Sequence, residues 1–313
     1  MKLIKPKFWG KKINLISIVL LPISLFYILI IRIKKKFTKI KKFNIPIICV
    51  GNIYIGGTGK TPTSIILCKE ILKLGKKPAL LRKYYDSHSD EHELIKSKFN
   101  DLILGKNRVE ELKKLDRSSS DLVIMDDGLQ DYKIKKDLNI VCFHSNQLIG
   151  NGFTLPAGPL RENLSALKQA HIVIINGHTV KNFEEKILNI NSKLEIYYSH
   201  YEPINIEKFR NKKLFAIAGI GNPENFFQTL ENNNLKVEEK LVLPDHHIFS
   251  RVEIENLVKK ARERNYKIIM TEKDYFKIKD FKLDNLDYLQ VRLQINFKEK
   301  LISRIMKLYD QKN

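Results

Sequence analysis

Cysteine is scarce in this 313-residue chain: only Cys49, Cys68 and Cys142 occur, odd in number and far apart. Neither a disulfide framework nor a zinc site can be built from them. Their apolar or helical settings read as reduced core thiols of a cytosol-facing protein. Acidic residues are also few, 35 against 56 lysines and arginines, for a net charge of +21. That excess attracts anions: nucleic acid, an acidic membrane surface or a phosphorylated substrate. No basic motif interleaved with aromatics and no zinc pattern accompanies it, which argues against nucleic acid. Part of the excess is of the kind that base composition produces, since the chain is also rich in Ile and Asn. Repeats and low-complexity segments are absent. With 43% hydrophobic residues the chain is not disordered, and its length suffices for one large core or two α/β lobes.

Long, mostly apolar runs are absent too, with one exception. Ile13 to Ile31 is 19 residues without a charge, flanked by Lys11-Lys12 and by Arg32, Lys34, Lys35 and Lys36. As one helix it would span roughly 28 Å, just enough for a hydrocarbon core. Basic residues follow it and no small-residue cleavage site does, so a signal peptide is the weaker reading. Residues 1–36 are therefore expected to be a membrane anchor. Both flanks are basic, so whether it crosses the bilayer or lies in the interface stays open.

Gly51 to Pro62 reads Gly-Asn-Ile-Tyr-Ile-Gly-Gly-Thr-Gly-Lys-Thr-Pro, after the apolar run Ile47–Val50 and before the helical pattern Ser64–Lys73. A strand, a glycine-crowded loop and a helix start make a phosphate-binding loop. Glycines let successive N–H groups turn inward around phosphate oxygens, at a helix end that favours anions. Gly56, Gly57, Thr58, Gly59, Lys60, Thr61 and Pro62 are the nucleotide-binding candidates. Lys60 reaches the β/γ phosphates of ATP, and the Thr61 hydroxyl can hold Mg2+. The first glycine of the usual G-x-x-x-x-G-K-[ST] spacing falls on Tyr54.

Further apolar runs at Ala79–Leu81, Leu122–Met125, Ile140–Phe143 and Ile172–Ile175 alternate with helical patterns near Val109–Leu115 and Leu164–Gln169. Such alternation predicts an α/β fold: a P-loop NTPase-like, mostly parallel sheet, a second smaller α/β lobe and the N-terminal membrane helix. The expected division is a P-loop kinase domain over 37–195, a linker over 196–211 and a C-terminal lobe over 212–313. The Leu122–Met125 strand delivers Asp126 and Asp127 to its C-terminal edge, where open sheets bind ligands. At least one of them is expected at the metal. Ser87–Glu93 gathers acidic and imidazole side chains, and a loop stiffened by Pro and Gly ends in Arg161-Glu162.

Taken in order, these pieces resemble the tetraacyldisaccharide 4'-kinase family over nearly the whole chain. The matching stretches are the apolar N-terminus, Val50-Gly51-Asn52 with Gly56–Pro62, Asp90-Glu91, Asp126–Gln130, Asn151-Gly152 with Leu155–Glu162, Ala218–Pro223, Asp245-His246 and Met270–Asp274. The family's P-loop also lacks the first glycine. Two loops depart: Leu81-Arg82-Lys83-Tyr84-Tyr85 replaces Ser-Arg-Gly-Tyr-Gly, and Ser89-Asp90-Glu91-His92 replaces Gly-Asp-Glu-Pro. The resemblance implies transfer of the ATP γ-phosphoryl group to the 4'-hydroxyl of a tetra-acylated glucosamine disaccharide 1-phosphate. It places the enzyme among the lipids of the inner membrane, on the cytoplasmic face; no protein partner is inferred, and the charge pattern already spoke against nucleic acid. It makes Asp90 the general base and His246 its partner, expected in different lobes. Thr61 with Asp126 or Asp127, and Glu162 as a further candidate, would surround Mg2+. Arg82 and Arg161 are candidates for phosphate or transition-state charge. The rival class is a membrane-bound P-loop switch ATPase of the targeting or partitioning type.

Overall fold

The computed structural model describes residues 6–10, 12–85, 89–245 and 247–312, at 89, 90, 91 and 94 the backbone alone. In chain order its elements are α1 (Leu15–Val19), α2 (Leu21–Phe37), β1 (Ile47–Gly51), α3 (Lys60–Lys73), β2 (Pro78–Lys83), α4 (Ser89–Lys98), β3 (Leu102–Gly105), α5 (Arg108–Leu115), β4 (Leu122–Asp126) and β5 (Leu138–His144). There follow β6 (Ile172–Asn176), α6 (Lys181–Leu188), β7 (Glu195–Pro203), β8 (Lys213–Ala218), α7 (Pro223–Asn232), β9 (Lys236–Val242), α8 (Arg251–Glu263), β10 (Lys267–Thr271), α9 (Glu272–Phe276), β11 (Leu286–Leu289), β12 (Val291–Ile295) and α10 (Lys298–Asp310).

The strands form an eight-stranded sheet, β12-β7-β6-β5-β1-β4-β2-β3, and a four-stranded sheet, β11-β10-β8-β9. From β3 across to β7 every neighbouring pair of the larger sheet is parallel. Parallel strands are covered on both faces, which is why β1, β4 and β6 are unbroken apolar runs buried throughout. On one face Ile47, Cys49, Ala79, Leu81, Val123 and Met125 pack with Val109, Leu112 and Leu115 of α5. Nearer the other edge Phe143 meets Phe183 of α6 edge-on, with ring centres 5.0 Å apart. All three cysteines are buried and free, and burial pushes the thiols of Cys49 and Cys142 up to about 11 and 12.

The smaller sheet is sandwiched in the same way. Leu214, Ala216 and Ala218 face Phe226, Phe227 and Leu230 of α7, while Phe215 and Ile217 face Ile254, Val258 and Ala261 of α8. Each large side chain so buried stabilises by about 1.5–3 kcal/mol. Ser250 starts α8 with a reciprocal cap to Glu253.

The described residues divide into two compact units, one within 6–85, 98–200 and 293–312, the other within 89–97 and 201–292. Three sequence expectations change. Glu195–Pro203 is not linker but β7, paired to β6 through Ile172↔Glu195 to Asn176↔Ser199. The C-terminal lobe does not run to the end, because residues from Leu293 onward, α10 included, belong with the P-loop unit. And α4, which carries Asp90, belongs with the second unit, tied there by Lys279 Nζ to Glu93 Oε2 at 2.8 Å.

The N-terminal run changes as well. Pro22, at the second position of α2, has no N–H to continue the ladder from α1, so the uncharged stretch is cut into a five-residue and a 17-residue helix. The last turns of α2 carry Arg32, Lys34, Lys35 and Lys36, leaving an uncharged portion of about 16 Å at 1.5 Å per residue. Among the described residues no helix is long and apolar enough to cross a membrane.

Candidate functional site: a phosphate loop over a buried arginine–aspartate pair

Sheet register builds the centre of the site. Val50 of β1 pairs with Asp126 of β4, and Asp126 with Arg82 of β2, so three neighbouring strands end at one level. From Gly51 the chain turns into the loop that starts α3. Gly59 caps that helix in the left-handed region, φ 88°, and a side chain there would press on the Asn176 amide. Gly56 is left-handed too, at φ 115°. Lys60, Thr61 and Pro62 form the first turn, where a proline's missing N–H costs nothing because those donors have no partner within the helix.

Tyr54 explains the absent first glycine. It is buried and bridges antiparallel to Leu160, flanked by Ile55 N to Pro159 O at 2.9 Å and Arg161 N to Ile53 O at 2.7 Å. Residues 53–55 are thus extended chain zipped to the 159–161 loop, a conformation any residue adopts. The turn is held from inside by Asn52, whose Nδ2 donates to Gly56 O (3.2 Å) and Thr58 Oγ1 (2.9 Å).

Asp126 is fully buried. Its carboxylate accepts from Thr61 Oγ1 and Ser64 Oγ, both at 3.0 Å, and from Arg82 NH1 at 2.7 Å. Arg82 NH1 also reaches Thr61 Oγ1 at 3.0 Å. Arg82 is therefore the counter-ion of the strand-end carboxylate. Thr61 and Asp126 are hard oxygen donors side by side at a helix start. Mg2+ keeps several waters and phosphate oxygens and needs only one or two protein ligands, so this pair fits it. Among the described residues no three His, Cys, Asp or Glu side chains gather as a metal cluster.

Asp127 and Glu162 are engaged elsewhere. Asp127 sits at φ 51°, and its carboxylate meets Arg161 NH1 at 2.9 Å and Lys60 Nζ at 3.8 Å. Burial pushes its carboxyl up, but Lys60, Arg161, Arg108 and Arg82 together outweigh that and leave it below its usual value. Lys60 is thereby aimed along the loop by a carboxylate, a point charge ready for phosphate. Glu162 accepts from Lys35 Nζ at 2.5 Å and Gln130 Nε2 at 3.1 Å. Its negative charge, after burial, also drives the neighbouring Tyr132 hydroxyl upward.

Sequence reasoning missed Arg108. At the first position of α5, its NH2 donates to Asp126 O (2.7 Å) and Asp127 O (3.0 Å), pinning the strained backbone that splays the two carboxylates apart. Lys136 is similar: burial lowers its pKa while Nζ donates to Leu129 O and Asp131 O. Neither has a local pattern that would reveal it: Arg108 stands at an ordinary helix start and Lys136 is one of several lysines in its stretch.

In the second unit, Gly219 N and Thr271 Oγ1 both donate to buried Asp274 Oδ2 at 2.7 Å, so two of the sequence motifs meet at the end of β8. Lys273 Nζ reaches Asp245 Oδ1 at 3.2 Å. The side chain of Asp90, and His246 altogether, lie outside the described residues. The described residues on either side of position 246 belong to the same compact unit as α4.

The family model described as tetraacyldisaccharide-1-P 4'-kinase matches residues 16–310. A tetraacyldisaccharide 4'-kinase from Pelagibacter ubique is 40% identical over 316 residues, covering 99% of this chain and 100% of that one. The enzyme of that name from Francisella tularensis subsp. novicida is 34% identical over 323 residues, covering 93% and 99%. The crystal structure of the "apo" form of LpxK from Aquifex aeolicus in complex with ATP superposes with a TM-score of 0.71 at 24% identity, covering 94% of this chain and 100% of that one, and has the same fold. With the phosphate loop, the strand-end acids and the end-to-end match in agreement, the chain belongs to the tetraacyldisaccharide-1-P 4'-kinase family.

Proposed function

We propose that this kinase transfers the γ-phosphoryl group of ATP to the 4'-hydroxyl of a tetraacyldisaccharide 1-phosphate at a membrane surface. The observation that carries the reading is Lys60 and the Thr61–Asp126 pair on one phosphate loop, within a chain that matches these kinases from end to end. A switch ATPase gives way to that family membership.

Phosphoryl transfer is mainly positioning and charge neutralisation. The N–H groups of Gly57 to Lys60 and the α3 terminus cradle the phosphates, and Lys60 offsets charge on the β/γ oxygens. Thr61 and Asp126 would hold Mg2+, which would supply further neutralisation of the phosphates. Arg82 neutralises Asp126 and stands beside Thr61, within reach of the same charge. Asp90 is the base for the acceptor hydroxyl, with His246 as its orienting partner.

The N-terminal helices favour attachment to the cytoplasmic face of an inner membrane, lying in the interface. Leu15, Val19, Ile23, Leu25, Phe26 and Phe37 are all more than half exposed, beside a collar of lysines and Arg32. An apolar face with a basic rim suits an anionic lipid surface. The test incubates the protein with γ-labelled ATP and the disaccharide 1-phosphate in micelles. Label at the 4' position is expected; ATP hydrolysis without a labelled lipid would refute the reading.

A further inference from the structure

α1 and α2 are inside out for a simple membrane anchor. Their fully buried side chains are polar, Ser17 and Ser24, while most of their apolar side chains are exposed. Both buried serines bond the loop that ends in Arg161-Glu162, Ser17 Oγ also donating to Phe8 O at 3.2 Å. Ser24 Oγ donates to Thr154 O (2.9 Å) and accepts from Ala157 N (3.0 Å). Ser17 Oγ accepts from Asn151 Nδ2 (3.0 Å), and just before α1 Trp9 Nε1 donates to Pro156 O (3.0 Å). Tyr27 OH donates to Arg161 O at 3.0 Å. Positions 24, 27 and 35 fall on one face of a helix with 3.6 residues per turn.

Two lines run from that face into the phosphate site. Lys35 Nζ meets Glu162 Oε2; Glu162 Oε1 accepts from Gln130 Nε2, which also donates to Asn52 O (3.0 Å); and Asn52 Nδ2 holds Gly56 O and Thr58 Oγ1. In the second line Tyr27 fixes the Arg161 backbone, Arg161 pairs with Asp127, and Asp127 aims Lys60. The Glu162 side chain is only 4% exposed, so its charge needs the cation that Lys35 brings, an ammonium that also lies 4.6 Å from the Tyr132 ring centre.

We infer that Lys35 and Tyr27 of the N-terminal helix are positioning residues for phosphoryl transfer, setting the phosphate loop through Glu162–Gln130–Asn52 and through Arg161–Asp127. The inference rests on the reading of Lys60, Thr61 and Asp126 as the nucleotide site. It makes the helix part of the catalytic unit as well as its attachment, so that seating of the helix and geometry of the loop are linked.

The test uses the full chain in detergent micelles, where attachment to a bilayer does not limit the rate, with ATP and the disaccharide 1-phosphate. Lys35→Ala should lower kcat about tenfold or more, the scale set by sub-ångström misplacement of phosphate donors, with KM for the lipid within about twofold. Lys35→Arg should restore most of it, and Tyr27→Phe should lower kcat several-fold. Amides of residues 52–58 and 154–162 should exchange hydrogen faster in Lys35→Ala. All three variants should float with phosphatidylglycerol-containing vesicles as wild type does. Wild-type kcat and exchange in Lys35→Ala, or in Tyr27→Phe if Lys35→Ala does not fold, would overturn the inference. So would a loss of kcat matched by loss of vesicle flotation with exchange unchanged. Lys60→Ala, run alongside, separates the two readings: if it stays active the nucleotide site is misplaced, whereas its inactivity beside fully active Lys35 and Tyr27 variants refutes the positioning role alone.

Discussion

Replacing Asp126 by Asn keeps shape and hydrogen-bonding capacity toward Thr61 and Ser64 but removes the charge that faces Arg82 at 2.7 Å. Asp126 is 0% exposed and Arg82 only 6%, so water cannot take the place of the lost partner. Removing one charge of a buried ion pair costs about 3–5 kcal/mol, a large share of the roughly 5–15 kcal/mol that keeps a domain folded. Arg82→Met alone should cost a similar amount, by stranding the carboxylate. The double variant leaves neither charge stranded, so its cost should fall short of the sum of the singles by about 2–3 kcal/mol. The only tryptophan, Trp9, is buried in the same unit as the pair, so urea unfolding followed by its fluorescence reads this unit and not the other. All three proteins should be inactive whatever their stability, since the Thr61–Asp126 donor pair is gone or misplaced. If the two single costs add to within about 0.5 kcal/mol, the ion pair does not organise the centre of the site and the account of Arg82 as counter-ion fails.

Lys60→Ala should remove kinase activity by a few orders of magnitude while circular dichroism and the unfolding midpoint stay near wild type, because the contact of Lys60 Nζ with Asp127 is long, at 3.8 Å; near-normal turnover in the folded variant would contradict the site. Asp90→Ala and His246→Ala should each lower turnover strongly with ATP affinity kept, and the pair should cost hardly more than the worse single, since groups acting as one unit are not additive; multiplicative losses would show them independent. The folded carboxyl of Asp127 lies below its usual 3.8, so its stabilising contribution is present above that value and fades as pH falls through the lower folded pKa. Trp9-detected stability should therefore drop in acid below about pH 4 with a shallower slope in Asp127→Asn, and equal slopes would show that Asp127 is not held by its cations.

What the sequence determined by itself is the set of features that depend on near neighbours along the chain. The apolar runs Ile47–Val50, Leu122–Met125 and Ile172–Ile175 are buried strands because a parallel sheet covered on both faces takes continuous Val and Ile. The glycines before Lys60 announce a loop that closes over phosphate, and acids directly after a strand announce the ligand edge of the sheet, so the family was legible too. Only the tertiary structure decided which polar group finds which partner, because a buried carboxylate or hydroxyl is satisfied by whatever the fold brings to it, from any distance in sequence. That is why Arg108 on the Asp126–Asp127 backbone and Lys35 on Glu162 carry no signal in their own neighbourhoods. It is also why an uncharged 19-residue run, which by hydropathy reads as one span, is two helices. Pro22 breaks the ladder, and Ser17 and Ser24, two polar points of the run, become its buried face because the loop at 151–157 offers them hydrogen bonds that lipid cannot.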